Sequence, residues 1–139
     1  MLDASQRRAS VGGWLLVLCA LLLVWHPLSL GLTASSVLDR LASRGVPLAL
    51  VLVLRLLATA LGIAAGLALL ARRSGAVSLA MVALVASAAT DLFTYTTPFY
   101  PSSRLPGDTI WYVLWSLAYH GVWIAYLFRS ARVRQTYGE

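Results

Sequence analysis

Charged residues, cysteine and histidine are all scarce in this chain, and their scarcity excludes several kinds of protein. Cys19 is the single cysteine and His26 and His120 are the only histidines. A disulfide within the chain is therefore excluded, and no set of ligands has the spacing of a zinc site. Only 12% of the residues are charged and 60% are hydrophobic, whereas soluble domains carry about 25% charged residues. The composition predicts an integral membrane protein with no metal site and no cofactor.

Four apolar runs are each long enough to cross the bilayer, which takes about 20 residues in a helix. They cover approximately residues 11–31, 47–71, 75–97 and 109–128. The connections between them are short and leave no room for a soluble domain. We therefore predict an all-α fold with a single transmembrane domain over residues 1–139, namely a four-helix transmembrane bundle.

The basic residues indicate the orientation of this bundle. All of them are arginines, and they lie in short clusters between the apolar runs, which is typical of membrane topology and not of nucleic-acid binding. A cytoplasmic N-terminus places most of them on the cytoplasmic side: Arg7, Arg8, Arg72, Arg73, Arg129, Arg132 and Arg134. The opposite side then holds Arg40, Arg44 and Arg104. Cytoplasmic loops carry the excess of arginine, so both termini are predicted to be cytoplasmic.

The connections on the outer side suggest two local structures. The segment between the first two runs is predicted to form a short interfacial helix, with Ser36 as its N-cap and Val37, Leu38 and Leu41 on one face. Asp108 is in position to cap the fourth helix.

Two charged residues fall inside the apolar runs. Arg55 lies about 12 Å from the outer end of the second span and Asp91 about 9 Å from that of the third, at 1.5 Å per residue. An unpaired charge at mid-membrane costs about 2.5–3.5 kcal/mol. Because their depths match, we predict that Arg55 and Asp91 form a pair that bridges the two helices.

Small residues form a stripe on each of these two helices, and close helix packing uses such stripes. The residues predicted to pack are Ala58, Gly62 and Gly66 on the second span and Ala80 and Ser87 on the third. An antiparallel pairing with Arg55 opposite Asp91 places Gly62 near Leu84 and Gly66 beside Ala80. One register thus satisfies the charge pair and the small faces.

Two roles remain open for the charge pair. It either fixes the register of the helical hairpin, or it lines a polar cavity that opens to the outer face. The residues predicted to line such a cavity are His26, Thr94, Tyr95, Tyr119 and His120. Ser116 has His120 one turn away, but a nucleophile needs an oriented base, and this spacing alone is weak. No catalytic residue is therefore assigned, and we expect a protein that is not an enzyme, with an intramembrane enzyme as a distant alternative.

The two ends of the chain carry motifs. The first span opens with "GGWLLVL", from Gly12, Gly13 and Trp14, and the last is followed by "YLFRSARVRQTYG", from Tyr126. Together these segments resemble the DUF2569 family, whose tail usually has phenylalanine where this chain has Tyr137. The resemblance implies a small protein of four spans in the bacterial inner membrane, and it implies no activity.

The same motifs suggest contacts at the cytoplasmic face. The two glycines permit close packing, Trp14 suits the interface, and arginines after the last span contact anionic phospholipid head groups. The arginines concerned are Arg129, Arg132 and Arg134. The tail is expected to dock against the Gly12–Gly13 end or onto a partner.

These observations favour an accessory or scaffolding subunit that binds lipid or another membrane protein. The partner can also be a second copy of the chain, in a homo-oligomer. The alternative is a small transporter or channel-like protein that uses an outward-facing polar cavity around Arg55 and Asp91. Nucleic acid is not an expected partner.

Overall fold

The computed structural model describes residues 13–97 and 107–138. Every regular element in these two ranges is helical, and they contain no strand. Gly12 of the first motif, and Arg7, Arg8 and Arg104 of the arginine count, lie outside the described residues.

Four long helices and one short helix make up the described chain. The first long helix is continuous and consists of α1 (Trp14–Ala20), a π-helical turn (Leu21–Trp25) and α2 (His26–Arg44). It is followed by α3 (Val46–Leu70), α4 (Ala76–Thr96), α5 (Thr109–Arg129) and the short α6 (Ala131–Tyr137).

The first long helix extends farther than the sequence predicted. The expected break near residue 32, with Ser36 as the N-cap of a separate helix, is wrong because Ser36 lies inside α2. The neighbouring hydroxyls of Thr33 and Ser35 donate to the carbonyls of Ser29 and Leu32 at 2.7 and 2.9 Å, so these two residues do not interrupt the helix. The helix ends only at Gly45, whose φ of 67° favours glycine.

Pro27 does not break this helix either. It has no N–H to donate, and its ring crowds the preceding turn. The π-helical turn Leu21–Trp25 lies immediately before it, and such widened turns accommodate a missing bond in the ladder. The chain therefore passes through Pro27 as one helix.

The extension of the first long helix packs on the beginning of α3. Val37 is buried with Leu48 and Val51, and Leu41 packs against them. Leu38 is 55% exposed, so the predicted face is correct for Val37 and Leu41 and wrong for Leu38.

Within residues 13–97 and 107–138, three helical segments are long and apolar enough to cross a membrane. They are Trp14–Ser35, Val46–Leu70 and Ala76–Thr96. Helix α5 has 21 residues, but its tyrosines, Ser116 and His120 make it less apolar. Asp108 occupies its N-cap position without a side-chain cap bond, and the Asp108 carbonyl instead accepts from the amides of Trp111 and Tyr112.

The long helices pack mainly on their neighbours in the chain. The first long helix packs on α3, α3 on α4, and α4 on α5. Among the described residues, α2 and α5 do not pack extensively on each other. The buried core lies at the end where α1 begins and α5 finishes, and it includes Leu15, Leu18, Leu22, Leu69, Ala80 and Leu127. A second, smaller cluster of Val37, Leu48 and Val51 lies where α2 ends and α3 begins.

Gly62 and Gly66 serve helix packing, but their neighbour differs from the predicted one. A Cβ atom built on Gly62 would lie 3.6 Å from Leu22 Cδ2, and one on Gly66 would lie 2.9 Å from Leu23 Cγ. Both glycines therefore present their Cα face to the first long helix, a contact that the sequence did not predict. Helix α3 has a neighbour on each side, and the stripe of small residues alone does not say which neighbour uses it.

Candidate functional site

A cavity of ≈ 570 Å³ lies between the long helices, beyond the buried core. Each long helix contributes polar side chains to its wall, and these include His26, Arg55, Thr90, Asp91, Ser116, Tyr119 and His120. Ala58 and Ser87 also line it, whereas Ala80 is fully buried in the core.

Arg55 and Asp91 lie together in this wall. The Arg55 Nη1 atom is 3.7 Å from Asp91 Oδ1, and the two side chains are 17% and 20% exposed. Arg55 Nη1 also donates to Thr94 Oγ1 at 3.4 Å. Thr94 in turn donates to the Thr90 carbonyl at 2.7 Å. The pair thus joins α3 to α4.

Ser116 connects the same carboxylate to α5, a contact that was not predicted from the sequence. Its hydroxyl donates to Asp91 Oδ2 at 3.1 Å. The sequence did contain an indication of this contact. Ser116 lies about 10 Å from the beginning of α5, at 1.5 Å per residue, and this distance matches the one predicted for Asp91. Asp91 therefore links three helices through Arg55 and Ser116.

His120 is 4% exposed and bonds within its own helix. Its Nδ1 atom lies 2.8 Å from the Ser116 carbonyl oxygen. A carbonyl can only accept, so this geometry assigns the proton to Nδ1. With that proton in place, Nδ1 cannot take the proton of Ser116 Oγ, which lies 3.3 Å away.

Two buried polar atoms in this wall have no hydrogen-bond partner within the described ranges. They are His120 Nε2 and Tyr119 Oη. The two rings meet edge to face with centroids 5.0 Å apart. His26 is close enough to interact electrostatically with His120, Asp91 and Arg55.

Four of the five residues predicted to line a cavity do so: His26, Tyr95, Tyr119 and His120. Thr94 is 4% exposed and holds Arg55 from behind the wall. Residues 13–97 and 107–138 contain no group of three or more histidine, cysteine or acidic side chains that could hold a metal ion.

The cavity has an aromatic rim where the first long helix and α5 stand apart. Trp25 lines it from one side and is 57% exposed, and Trp115 lines it from the other and is 74% exposed. Tyr95 and Tyr112 also line it, with ring centroids 5.9 Å apart. Because Trp25 and Trp115 line the cavity and are also exposed, the cavity reaches the molecular surface beside them.

The two terminal motifs meet at the other end of the helices. Gly13 has a φ of 62°, and a Cβ atom there would lie 2.7 Å from Arg132 Nη1. The Trp14 and Trp123 rings have centroids 6.4 Å apart. Glycine at residue 13 therefore provides both an unusual backbone conformation and the space for the Arg132 guanidinium. Arg129 and Arg134 are exposed at the same end.

Several residues of the tail motif have a visible structural role. Ser130 caps α6 by accepting from the Val133 amide, and Val133 and Thr136 are buried. The Tyr137 hydroxyl donates to the Leu69 carbonyl at 2.6 Å. Burial, followed by the nearby Cys19 thiol, raises the pKa of Tyr137 to about 12.

Comparison with known families agrees with these motifs. A family model described as "Protein of unknown function (DUF2569)" matches residues 8–138. The chain therefore belongs to the DUF2569 family, and the resemblance seen in its motifs is confirmed. The comparisons with curated proteins and with solved structures give no match.

Proposed function

We propose that this DUF2569 protein crosses the bacterial inner membrane four times, with both termini in the cytoplasm, and binds a lipid-like amphipathic molecule in its cavity. The 21 residues of α5 extend about 30 Å, which matches the hydrocarbon thickness. The exposed arginines Arg72, Arg73, Arg129 and Arg134 lie at the end where α5 finishes. The positive-inside rule supports placing this end in the cytoplasm.

The observation that carries the proposal is a charged cavity wall beside exposed aromatic side chains. Arg55 and Asp91 offer polar contacts to a head group, while Leu21 and Leu30 give the same cavity apolar surface. The volume of ≈ 570 Å³ falls within the range of about 300–1,000 Å³ that is usual for ligand pockets. A ligand can enter between α2 and α5 with its head inside and its tails in the bilayer.

We propose binding without catalysis at this site. A serine hydrolase needs a histidine that accepts the serine proton and a carboxylate that orients that histidine. Here the Asp91 carboxylate contacts Ser116 directly, and His120 Nδ1 is committed to a backbone carbonyl. These contacts support a polar wall and give Ser116 no activating base.

An accessory role for another membrane protein remains a prediction, and lipid binding is the part of that role that the geometry supports. Exposed apolar residues surround the long helices, but a lipid bilayer accounts for them as well as a partner or a second copy does.

Transport is the second candidate, since both charges line a cavity on the outer side of the membrane. Leu15, Leu18, Leu69 and Leu127 fill the cytoplasmic half, so a transported molecule would require this core to open. A flux assay in liposomes tests transport. If a solute accumulates in liposomes that contain the wild type, and this accumulation is lost in a folded Asp91→Asn variant, the protein transports that solute and does not merely bind it.

Filling the cavity tests the main proposal. Ala58 lines the cavity and Ala60 on the same helix is exposed, so Ala58→Phe and Ala60→Phe form a matched pair. After purification in mild detergent, native mass spectrometry should show bound lipid on the wild type and on Ala60→Phe and a loss of it on Ala58→Phe. Equal lipid retention by all three proteins would contradict binding in the cavity.

A further inference from the structure

We propose that the head group of the bound amphiphile is a zwitterion with a phosphate and a primary ammonium group, as in a phosphoethanolamine. Arg55 binds the phosphate and Asp91 binds the ammonium. The inference rests on the proposed function, because it specifies the ligand of that same cavity.

The charges of the wall favour a ligand that carries both signs. Arg55 and Asp91 lie side by side and are exposed to nearly the same extent, 17% and 20%. A purely anionic head group near Arg55 would be repelled by the adjacent Asp91 carboxylate. A purely cationic head group near Asp91 would be repelled by the Arg55 guanidinium. A zwitterion gains from both residues, since each of its charges meets the opposite charge.

The contacts behind the pair hold both groups in position. Ser116 of α5 donates a hydrogen bond to Asp91 Oδ2, and Thr94 of α4 accepts one from Arg55. The 3.7 Å between Arg55 Nη1 and Asp91 Oδ1 exceeds the length of a direct charge-assisted hydrogen bond, about 2.7–2.9 Å. A phosphate oxygen and an ammonium N–H can make such short bonds to the same two residues.

Aromatic side chains beside the pair fit an ammonium group. Tyr95, Tyr112 and Trp115 line the cavity, and cations bind to the faces of such rings. A primary ammonium also donates hydrogen bonds to a carboxylate, which a quaternary ammonium cannot do. Asp91 therefore selects the primary amine among ligands that the aromatic rings would accept alike.

Binding measured by native mass spectrometry, on protein stripped of lipid, tests the head-group assignment. The probes are phosphatidylethanolamine, phosphatidylcholine and phosphatidylglycerol with identical acyl chains, together with soluble glycerophosphoethanolamine. The wild type should bind phosphatidylethanolamine about tenfold more tightly than the other two lipids, the ratio that 1.4 kcal/mol produces. Glycerophosphoethanolamine should compete only weakly, since it lacks the tails.

The two variants of the pair should change lipid binding in different ways. Asp91→Asn removes the carboxylate beside Arg55 and should shift the preference to phosphatidylglycerol. Arg55→Gln should weaken the binding of all three lipids. Asp39→Asn, at an exposed position of α2, should keep the wild-type order. If Asp91→Asn does not fold, Ser116→Ala retains both charges and should reduce the preference for phosphatidylethanolamine.

The outcomes separate the two proposals. Equal binding of the three lipids by the wild type, with loss in Ala58→Phe, would overturn the zwitterion assignment and leave the lipid-binding function intact. Binding of no lipid would overturn both. Full competition by glycerophosphoethanolamine would support the head-group chemistry and overturn the lipid as its source.

Discussion

The coupling between Arg55 and Asp91 can be measured with a double-mutant cycle of Arg55→Gln, Asp91→Asn and the double variant. Two unit charges separated by 3.7 Å attract by about 4 kcal/mol at an effective dielectric constant near 20. Desolvation offsets part of this attraction, yet removing one partner leaves a charge inside the membrane, which costs about 3–5 kcal/mol. We expect each single variant to lose about 3 kcal/mol, and the double variant to lose about 2 kcal/mol less than the sum of the two.

Cys19 provides the assay for this cycle. Its side chain is 1% exposed, so a maleimide should label it only when the protein unfolds. Labelling along a denaturing detergent series then gives the unfolding free energy of each variant. Asp39→Asn and Arg40→Gln change exposed residues of α2 and should stay within about 0.5 kcal/mol of the wild type.

Strict additivity of the two single changes would show that Arg55 and Asp91 do not interact, because two groups that do not interact contribute independently. Full stability of Asp91→Asn would contradict the expected interaction as well. It would mean that Arg55 needs no carboxylate at this depth.

Two further predictions concern packing and the tail. Gly66→Ala brings a Cβ atom to 2.9 Å from Leu23 Cγ and should lower the free energy of unfolding by about 1–3 kcal/mol. Gly62→Ala meets only ordinary contacts and should be tolerated. Equal losses of stability for the two variants in the same labelling assay would contradict this geometry. Tyr137→Phe removes the bond to the Leu69 carbonyl and should cost about 0.5–1.5 kcal/mol. Because the folded-state pKa is raised to about 12, the stability from the neutral hydroxyl should be present below pH 10 and disappear as the pH rises through 12. An ultraviolet titration of tyrosinate, with Tyr137→Phe as the reference, checks this, and a tyrosine that ionises near pH 10 would contradict it.

Depth in the membrane was the strongest guide that the sequence offered to the site. Residues at equal distances from the same membrane face lie at one level, which predicted that Arg55 and Asp91 would be close. The same calculation applied to Ser116 would have found the third member of the cluster. Polar residues that meet across different helices can therefore be predicted from their depths.

Other features depend on which helix packs against which, and local sequence does not determine this. Gly62 and Gly66 form a stripe that suits either neighbour of α3, so their contact with the first long helix could not be deduced from spacing. The length of that helix was also unpredictable, because Ser36 is a good N-cap in isolation and an acceptable residue within an existing helix. The cavity is lined by residues of all four long helices, so its presence is a property of the whole fold.

Photocrosslinking in membranes determines whether a lipid head group lies in the cavity. A phosphatidylethanolamine with a photoreactive head group should label residues of the cavity wall, above all on α4 and α5 around Asp91 and Ser116, and Ala58→Phe should abolish this labelling while Ala60→Phe preserves it. Labelling confined to the exposed outer surface of the helices, unchanged in Ala58→Phe, would contradict the account.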